Sequence, residues 1–435
     1  MRIAPLALAA VLAFVASSSL ARDTTVRPLP RAKPASVGLS ADRLQHMAEY
    51  FRSETVKGTA AGYVLMVARD GKLAFSSAVG YRDIEHQVPM TLDTRFRIAS
   101  MTKPVTSVAV LMLYEEGRFH LDEAVARFLP EFANPRVYTG TDAEGKLTTE
   151  PARRDITIRD LLTHTSGLGY LGFYDTKTPL GQAYGALPIL ASGPLAEKVR
   201  LIASMPLYFH PGEGWRYSFA DDVLGRLVEV VSGMPFDRFL EERLFAPLNM
   251  KATGFYLPAS AKPLLATIYK HDPEGALIPA DSSWLGDPSD VSRPPSGGGG
   301  LFSTAGDYLR FAQMLANGGS LDGRQYLSPV TVALMTSNQV AEDTQAKYWG
   351  PNSTGLGYGL GVGVEIDTRH SWQAGSPGDY SWGGLFDTHW IVSPRTGIVA
   401  VLLAQLDPSG NKAPQRTDQD FRNLLFATVT TLPAS

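Results

Sequence analysis

The chain has 435 residues, of which 44% are hydrophobic, 19% charged and 10% aromatic, with a formal net charge of −3. This is an ordinary globular composition, long enough for one large or two intertwined domains, and its scattered Lys and Arg point to no nucleic-acid partner and no anionic membrane surface. With no cysteine, disulfides, a thiol nucleophile and a lipid-attachment cysteine are excluded. The eight histidines form no His-Glu-x-x-His or His-x-His grouping, so no metal and no other cofactor is expected.

Residues 1–21 read as a secretory signal peptide. Arg2 supplies the basic start, residues 3–16 an apolar run too short to span a bilayer comfortably, and Ser19-Leu20-Ala21 a small-x-small cleavage site. The mature protein is therefore expected to be secreted or periplasmic, without a membrane span. Residues 22–38, rich in Pro and basic side chains, read as a surface tether. Ser40 is a plausible N-cap for a helix over 40–54, with Leu44, Met47 and Phe51 at helical spacing. Segments 62–68 and 72–79 read as strands around the tight turn Asp70-Gly71. An extended piece through Arg97 then gives way to an apolar helical run that ends at Glu116, with Gly117 as its stop.

The middle of the chain is helix and loop. Residues 134–155 are polar and read as a loop. Thr157-Ile-Arg-Asp160 resembles a capping box opening a short helix that stops at Gly167, and helices are expected over 194–205, 220–232 and 235–245. Residues 168–193 are rich in Gly and Tyr without periodicity, either a pocket mouth or a loop. Residues 258–296 hold several prolines and read as an irregular excursion. The run Gly297 to Gly300 lacks the Gly-Lys-Ser/Thr of a phosphate loop and reads as close backbone packing or a flexible wall. Thr304 caps a helix over 308–317, and another covers 328–336. Strands follow at 359–366, 382–392 and 397–406, with a last helix over 419–430. Strands at both ends and helices between them suggest one sheet domain from 39–110 and 290–435, with a mostly helical domain, 111–289, inserted.

Chemistry concentrates at Ser100-Met101-Thr102-Lys103, where the extended piece meets the helix. Residues three apart share a helix face, so the lysine amine is expected beside the serine hydroxyl, near a positive dipole end. A Ser-x-x-Lys spacing arises by chance about once in a chain of this size. A second copy, Ser409 to Lys412, lies in a Pro/Gly/Asn turn with no helix to align it and is read as chance. His164, in His-Thr-Ser-Gly-Leu, reads as a residue that holds the end of its short helix rather than as a catalytic base.

Three stretches together resemble the penicillin-recognising serine hydrolases: class C β-lactamases, DD-peptidases and, closest, family VIII carboxylesterases. Ser100 to Lys103 matches the first motif. Tyr217-Ser218-Phe219 stands where the family has Tyr-x-Asn, and Trp382-Gly383-Gly384 where it has Lys-Thr-Gly or His-x-Gly. The runs 156–168 and 298–308 are similar too, and the likeness spans roughly 40–410. The resemblance implies an α/β fold of the α+β type, β-lactamase/transpeptidase-like: an antiparallel sheet flanked by helices with an inserted helical domain. It also implies Ser100 as acylated nucleophile, with Lys103 and Tyr217 handling protons. The backbone N–H groups of Ser100 and Leu385 are expected to form the oxyanion hole. Two departures bear on substrate. Phe219 replaces an amide and Trp382 replaces a cation, and an apolar ring cannot pair the carboxylate or amide of a β-lactam. Both favour apolar acyl esters of short chain. An amide or D-peptide hydrolase, a β-lactamase, or a catalytically silent cell-wall-peptide binder are the alternatives. No Gly-x-Ser-x-Gly elbow of an α/β-hydrolase is present.

Overall fold

The protein is described by a computed structural model covering residues 29–172, 175–341, 355–369, 371, 374–410 and 416–432. The expected signal peptide lies outside these residues.

Strand β1 (Gly62–Arg69) is buried at every position. A strand apolar on both faces has to be covered on both, and this requirement sets the layers. β1 turns at Asp70-Gly71, both at positive φ (+50° and +76°), into antiparallel β2 (Lys72–Asp83). Its other edge takes β8 (Ile398–Leu403) from the far end of the chain, in register from Val64–Leu403 to Arg69–Ile398. With β3 (Val88–Pro89), β4 (Leu356–Tyr358), β5 (Gly363–Glu365), β6 (Tyr380–Gly384) and β7 (Thr388–Ser393), the sheet has, among the described residues, eight strands in the order β4-β5-β6-β7-β8-β1-β2-β3. Each pairing is antiparallel.

Tyr63, Leu65 and Val67 of β1, with Ala400 and Leu402 of β8, face helices α1 (Ala41–Val56) and α10 (Thr417–Ala427). Leu44, Met47, Phe51, Phe421 and Leu425 fill that layer. Val64, Met66, Val399, Val401 and Trp390 face the opposite way, onto α8 (Ala305–Ala316). Each such buried aliphatic side chain contributes about 1.5–3 kcal/mol. Deeper on this side runs α2 (Thr102–Glu115), in which every residue from Thr102 to Leu113 is buried. A helix buried all round, most of its residues apolar, belongs inside the protein. It packs on α6 (Ala220–Ser232), while α3 (Ile158–Leu162), α4 (Pro179–Gly185), α5 (Leu195–Ala203), α7 (Phe236–Leu240) and α9 (Pro329–Met335) complete the helical parts. Ser40 caps α1, Thr304 caps α8, and Thr157 with Asp160 forms the expected capping box on α3.

Several expectations are corrected. Residues 134–155 are not a loop: 136–141 and 147–151 pair as a hairpin. Its turn is held by the Asp142 carboxylate accepting from the N–H groups of Glu144 and Lys146. Only Val137 of its two strands is buried, so burial imposes no alternation on the sequence to read. A second short hairpin, Tyr269–His271 with Leu277–Pro279, occupies part of the irregular 258–296 segment. The single strand expected over 382–392 is the hairpin β6–β7, turned at Asp387 with φ +62°. Of the strand expected over 359–366 only Gly363–Glu365 (β5) is strand; the chain turns at Gly361, φ +86°, after β4, which ends at Tyr358. The helix over 235–245 is α7 followed by a single π turn, Glu241–Phe245. The described end of the tether is packed down rather than free: Leu29 is buried, and Ala32 N–H donates to the Leu73 carbonyl.

One buried acid on the sheet carries a pH prediction. The Glu365 carboxyl of β5 is pushed up to about 7, first by burial and also by the charge of Asp379, against an ordinary value of 4.5. The folded chain therefore keeps a proton that the unfolded chain releases between these values. The associated stability is fully present below about pH 4.5 and is lost as the pH rises through about 7. Glu365→Gln should make the fall in Tm between pH 5 and pH 7 shallower than in the wild type; parallel Tm curves would contradict this.

Candidate active site

The chain enters the site as an extended pair, Phe96–Arg97 against Phe302–Ser303. It then makes one tight turn, Ala99–Met101, before α2 begins. Ala99 sits at φ +44°, a region that costs a residue with a Cβ about 1–3 kcal/mol and is common next to functional groups. Ser100 thus stands in the turn ahead of the helix, and Lys103 in its first turn. Lys103 is fully buried, with Nζ 3.4 Å from Ser100 Oγ and donating to the Gly298 carbonyl at 2.6 Å. The Tyr217 ring centroid lies 4.3 Å from Nζ and that of Tyr170 5.2 Å. The three residues expected to act together are therefore brought together, from the start of α2 and the approach to α6.

Strand β6 supplies the next wall. Alternation along a strand sends residues 382 and 384 to one face and 383 to the other. The Trp382 indole N–H donates to Tyr217 Oη at 3.4 Å, and its ring lies against Tyr358 and Tyr217, with centroids 5.1 and 5.8 Å apart. A Cβ at Gly384 would come within 2.3 Å of the Ile98 carbonyl, so only glycine lets β6 approach the Ser100 turn this closely. Gly383 points away, toward His389, and its expected part in the site can come only from its backbone. On that far face Arg422 of α10 donates to Ser381 Oγ at 2.7 Å, fastening β6.

Ser100 opens on a cavity of about 120 Å³. Leu385, just past β6, lines it together with Phe219, Tyr170, Leu171, Ile189 and Phe255. Phe219 is 2% exposed, its ring 4.8 Å from that of Tyr170. Trp382 and Tyr217 are not in this wall.

The family model described as Beta-lactamase matches residues 44–424. The chain belongs to the beta-lactamase family. It is 36% identical over 378 residues to esterase EstB of Burkholderia gladioli, covering 81% of this chain and 88% of that one. It is 32% identical over 354 residues to lovastatin esterase of Penicillium rubens, covering 76% and 85%. Among solved structures, EstCE1, described as a hydrolase with promiscuous acyltransferase activity, superposes with a TM-score of 0.73 at 29% identity, covering 88% of this chain and 99% of that one. The β-lactamase/transpeptidase-like fold expected from the resemblance is the fold found.

Within this beta-lactamase-family site, His164 packs against Tyr217 and is not in the wall of the Ser100 cavity. It follows α3 at φ +58°, fully buried, with Nδ1 3.1 Å from Ser218 Oγ and Nε2 3.5 Å from the Asp221 carboxylate. Its ring lies 4.8 Å from that of Tyr217. Burial, and then the charge of Lys103, hold it well below the usual histidine range, so it is a neutral wedge behind Tyr217.

The sequence reading missed the acids of the site. Asp221 and Asp222 look like the acidic first turn of α6, which they are. Folding also buries both beside Lys103. Burial raises Asp221 to about 7 and Asp222 above the usual carboxylate range, while Lys103 pulls each back down. An ammonium buried alone costs several kcal/mol, and these carboxylates offset that cost. Asp222 also accepts from Ser296 Oγ at 2.6 Å. A Cβ at Gly297 would lie 2.3 Å from the Asp221 carbonyl, and one at Gly298 2.8 Å from Asp222 Oδ2. Of the two readings of the four-glycine run, close packing is therefore correct: it brings the Gly298 carbonyl to Lys103. The arrangement can hold a hydroxyl against an amine in a dry, fixed setting, which is what an activated serine needs.

Proposed function

We propose that this serine hydrolase is a carboxylesterase that cleaves short-chain, apolar acyl esters through an acyl-enzyme on Ser100. In this reading Ser100 Oγ attacks the ester carbonyl, and its proton passes to the Lys103–Tyr217 pair. The carbonyl oxygen, now an oxyanion, accepts from the N–H groups of Ser100 and Leu385. Collapse breaks the C–O bond, and the alkoxide leaves with a proton returned by Tyr217. Water then attacks the acyl-enzyme by the same route in reverse, releasing the acid and restoring the Ser100 hydroxyl.

The observation that carries the reading is the lining at Ser100. The residue two after Tyr217 is Phe219, deep in the cavity wall, and the β6 position that carries a cation in the β-lactamases is Trp382, whose N–H is turned to Tyr217. The side-chain amide of a β-lactam would meet the Phe219 ring, and its carboxylate would find an indole at the β6 position where the β-lactamases hold a cation, each losing hydration with no partner at that place to replace it. An alkyl ester gains from the same apolar surface. The names of EstB and lovastatin esterase lend support. A panel of p-nitrophenyl esters, D-alanyl peptides and nitrocefin tests it. We expect acetate and butyrate esters to be cleaved with a kcat/KM at least about 100-fold above nitrocefin. Nitrocefin turnover rivalling ester turnover would restore the β-lactamase reading, preferential D-peptide cleavage the peptidase reading, and no turnover with tight peptide binding the silent binder.

A further inference from the structure

Two cations stand in the wall of the Ser100 cavity, Lys198 and Arg293. Lys198 of α5 is 5% exposed, and its Nζ donates to the Ser192 carbonyl at 3.2 Å; among the described residues no carboxylate forms an ion pair with it. Arg293 is half-buried, on the segment just before the four-glycine run. Its backbone carbonyl accepts from Tyr256 Oη at 2.9 Å, but its guanidinium has no hydrogen bond or ion pair among the described residues. Asp290, the acid whose charge it feels most, spends its carboxylate on Ser292 and Ser192. Arg97 adds a second positive charge close enough for the two guanidiniums to oppose each other. Asp222 lines the same cavity, but it is taken up by Ser296 and by its place beside Lys103.

A guanidinium withdrawn from water with no acceptor is costly, and an anion arriving in a low-dielectric cavity is its ordinary complement. Most of the rest of the cavity wall, Phe255, Leu285 and Pro294 among it, is apolar. A ligand that satisfies this wall has an apolar body and an anionic end. The fork of a guanidinium matches a carboxylate in two parallel bonds.

We propose that the ester cleaved at Ser100 carries a carboxylate remote from the scissile bond, bound by Arg293 with Lys198 adding positive charge. The cation that the family carries on β6 is thus absent, and a different cation, on a different wall, sets the preference. This proposal rests on the esterase reading above, keeps its apolar acyl body and adds a remote charge, as in half-esters of dicarboxylic acids and similar anionic esters.

The test compares p-nitrophenyl hydrogen glutarate with p-nitrophenyl hexanoate, which has a similar length and no charge. The wild type should favour the glutarate in kcat/KM by about tenfold or more, and Arg293→Met should lower that ratio by roughly 10- to 100-fold. Arg293→Lys should recover part of it, and added salt should narrow it in the wild type. Because the readout is a ratio within one protein sample, partial misfolding of a variant cancels. Hexanoate cleaved as well as glutarate, or a ratio unmoved by Arg293→Met, would overturn the proposal and leave the esterase reading standing. Cleavage of neither ester would overturn both.

Discussion

Ser100→Ala should yield a folded protein whose hydrolysis of p-nitrophenyl butyrate is slower by about 10⁴-fold or more. The loss is expected to be near total because Ser100 Oγ lines the cavity and is held 3.4 Å from the Lys103 amine. The fold should be untouched. Ser100 sits half-exposed in a one-turn segment, and alanine removes one oxygen without opening a cavity in the core around α2. An unchanged Tm together with lost turnover is the expected pair of results. A variant that keeps a tenth of the activity would mean that the nucleophile is elsewhere.

The second large effect belongs to the two residues beside it. Tyr217→Phe and Lys103→Ala should each slow turnover by about 10³- to 10⁴-fold, and the double variant should fall little below the worse single one. Nζ lies over the Tyr217 ring and within reach of Ser100 Oγ, so either loss breaks the same proton path. The two differ in stability. Tyr217→Phe keeps the ring between Trp215, Tyr170 and Trp382 and should cost little. Lys103→Ala removes the positive charge that draws down the Asp221 and Asp222 carboxyls and leaves the Gly298 carbonyl without its donor, losses that destabilise a buried site. Neutralisation of Asp221, already raised to about 7, limits the damage. Tm should therefore drop for Lys103→Ala and hardly move for Tyr217→Phe. Losses that multiply in the double variant would show that the two residues act separately.

The architecture was legible wherever periodicity or a cap is strong. The uniformly apolar β1, the Asp70-Gly71 turn and the capping box at Thr157 all read directly from the chain. The β6–β7 turn was not legible. Strand-forming residues run on both sides of Leu385-Phe386-Asp387, and only the positive φ of Asp387 shows the break. The hairpin at 136–151 escaped because only Val137 of its strands is buried, so burial imposes no pattern on it. In the site, Ser100 and Lys103 are three residues apart, and a local rule joins them. Gly298, Asp222 and Arg293 meet them only through the fold, from segments some 120 to 195 positions away in the chain, and no spacing rule reaches that far. Asp221 and Asp222 show the limit most clearly. Acids in a first helical turn are ordinary, and only burial against Lys103 makes them part of the site.

The central claim is that Ser100 becomes acylated, and it is tested most directly by covalent labelling. Wild-type protein treated with ethyl p-nitrophenyl hexylphosphonate should gain one phosphonyl group per chain as its esterase activity disappears. Peptide mass spectrometry should place that group on Ser100, and Ser100→Ala should take up none. A phosphonyl group found on another residue in step with the loss of activity, or retained in Ser100→Ala, would contradict the account.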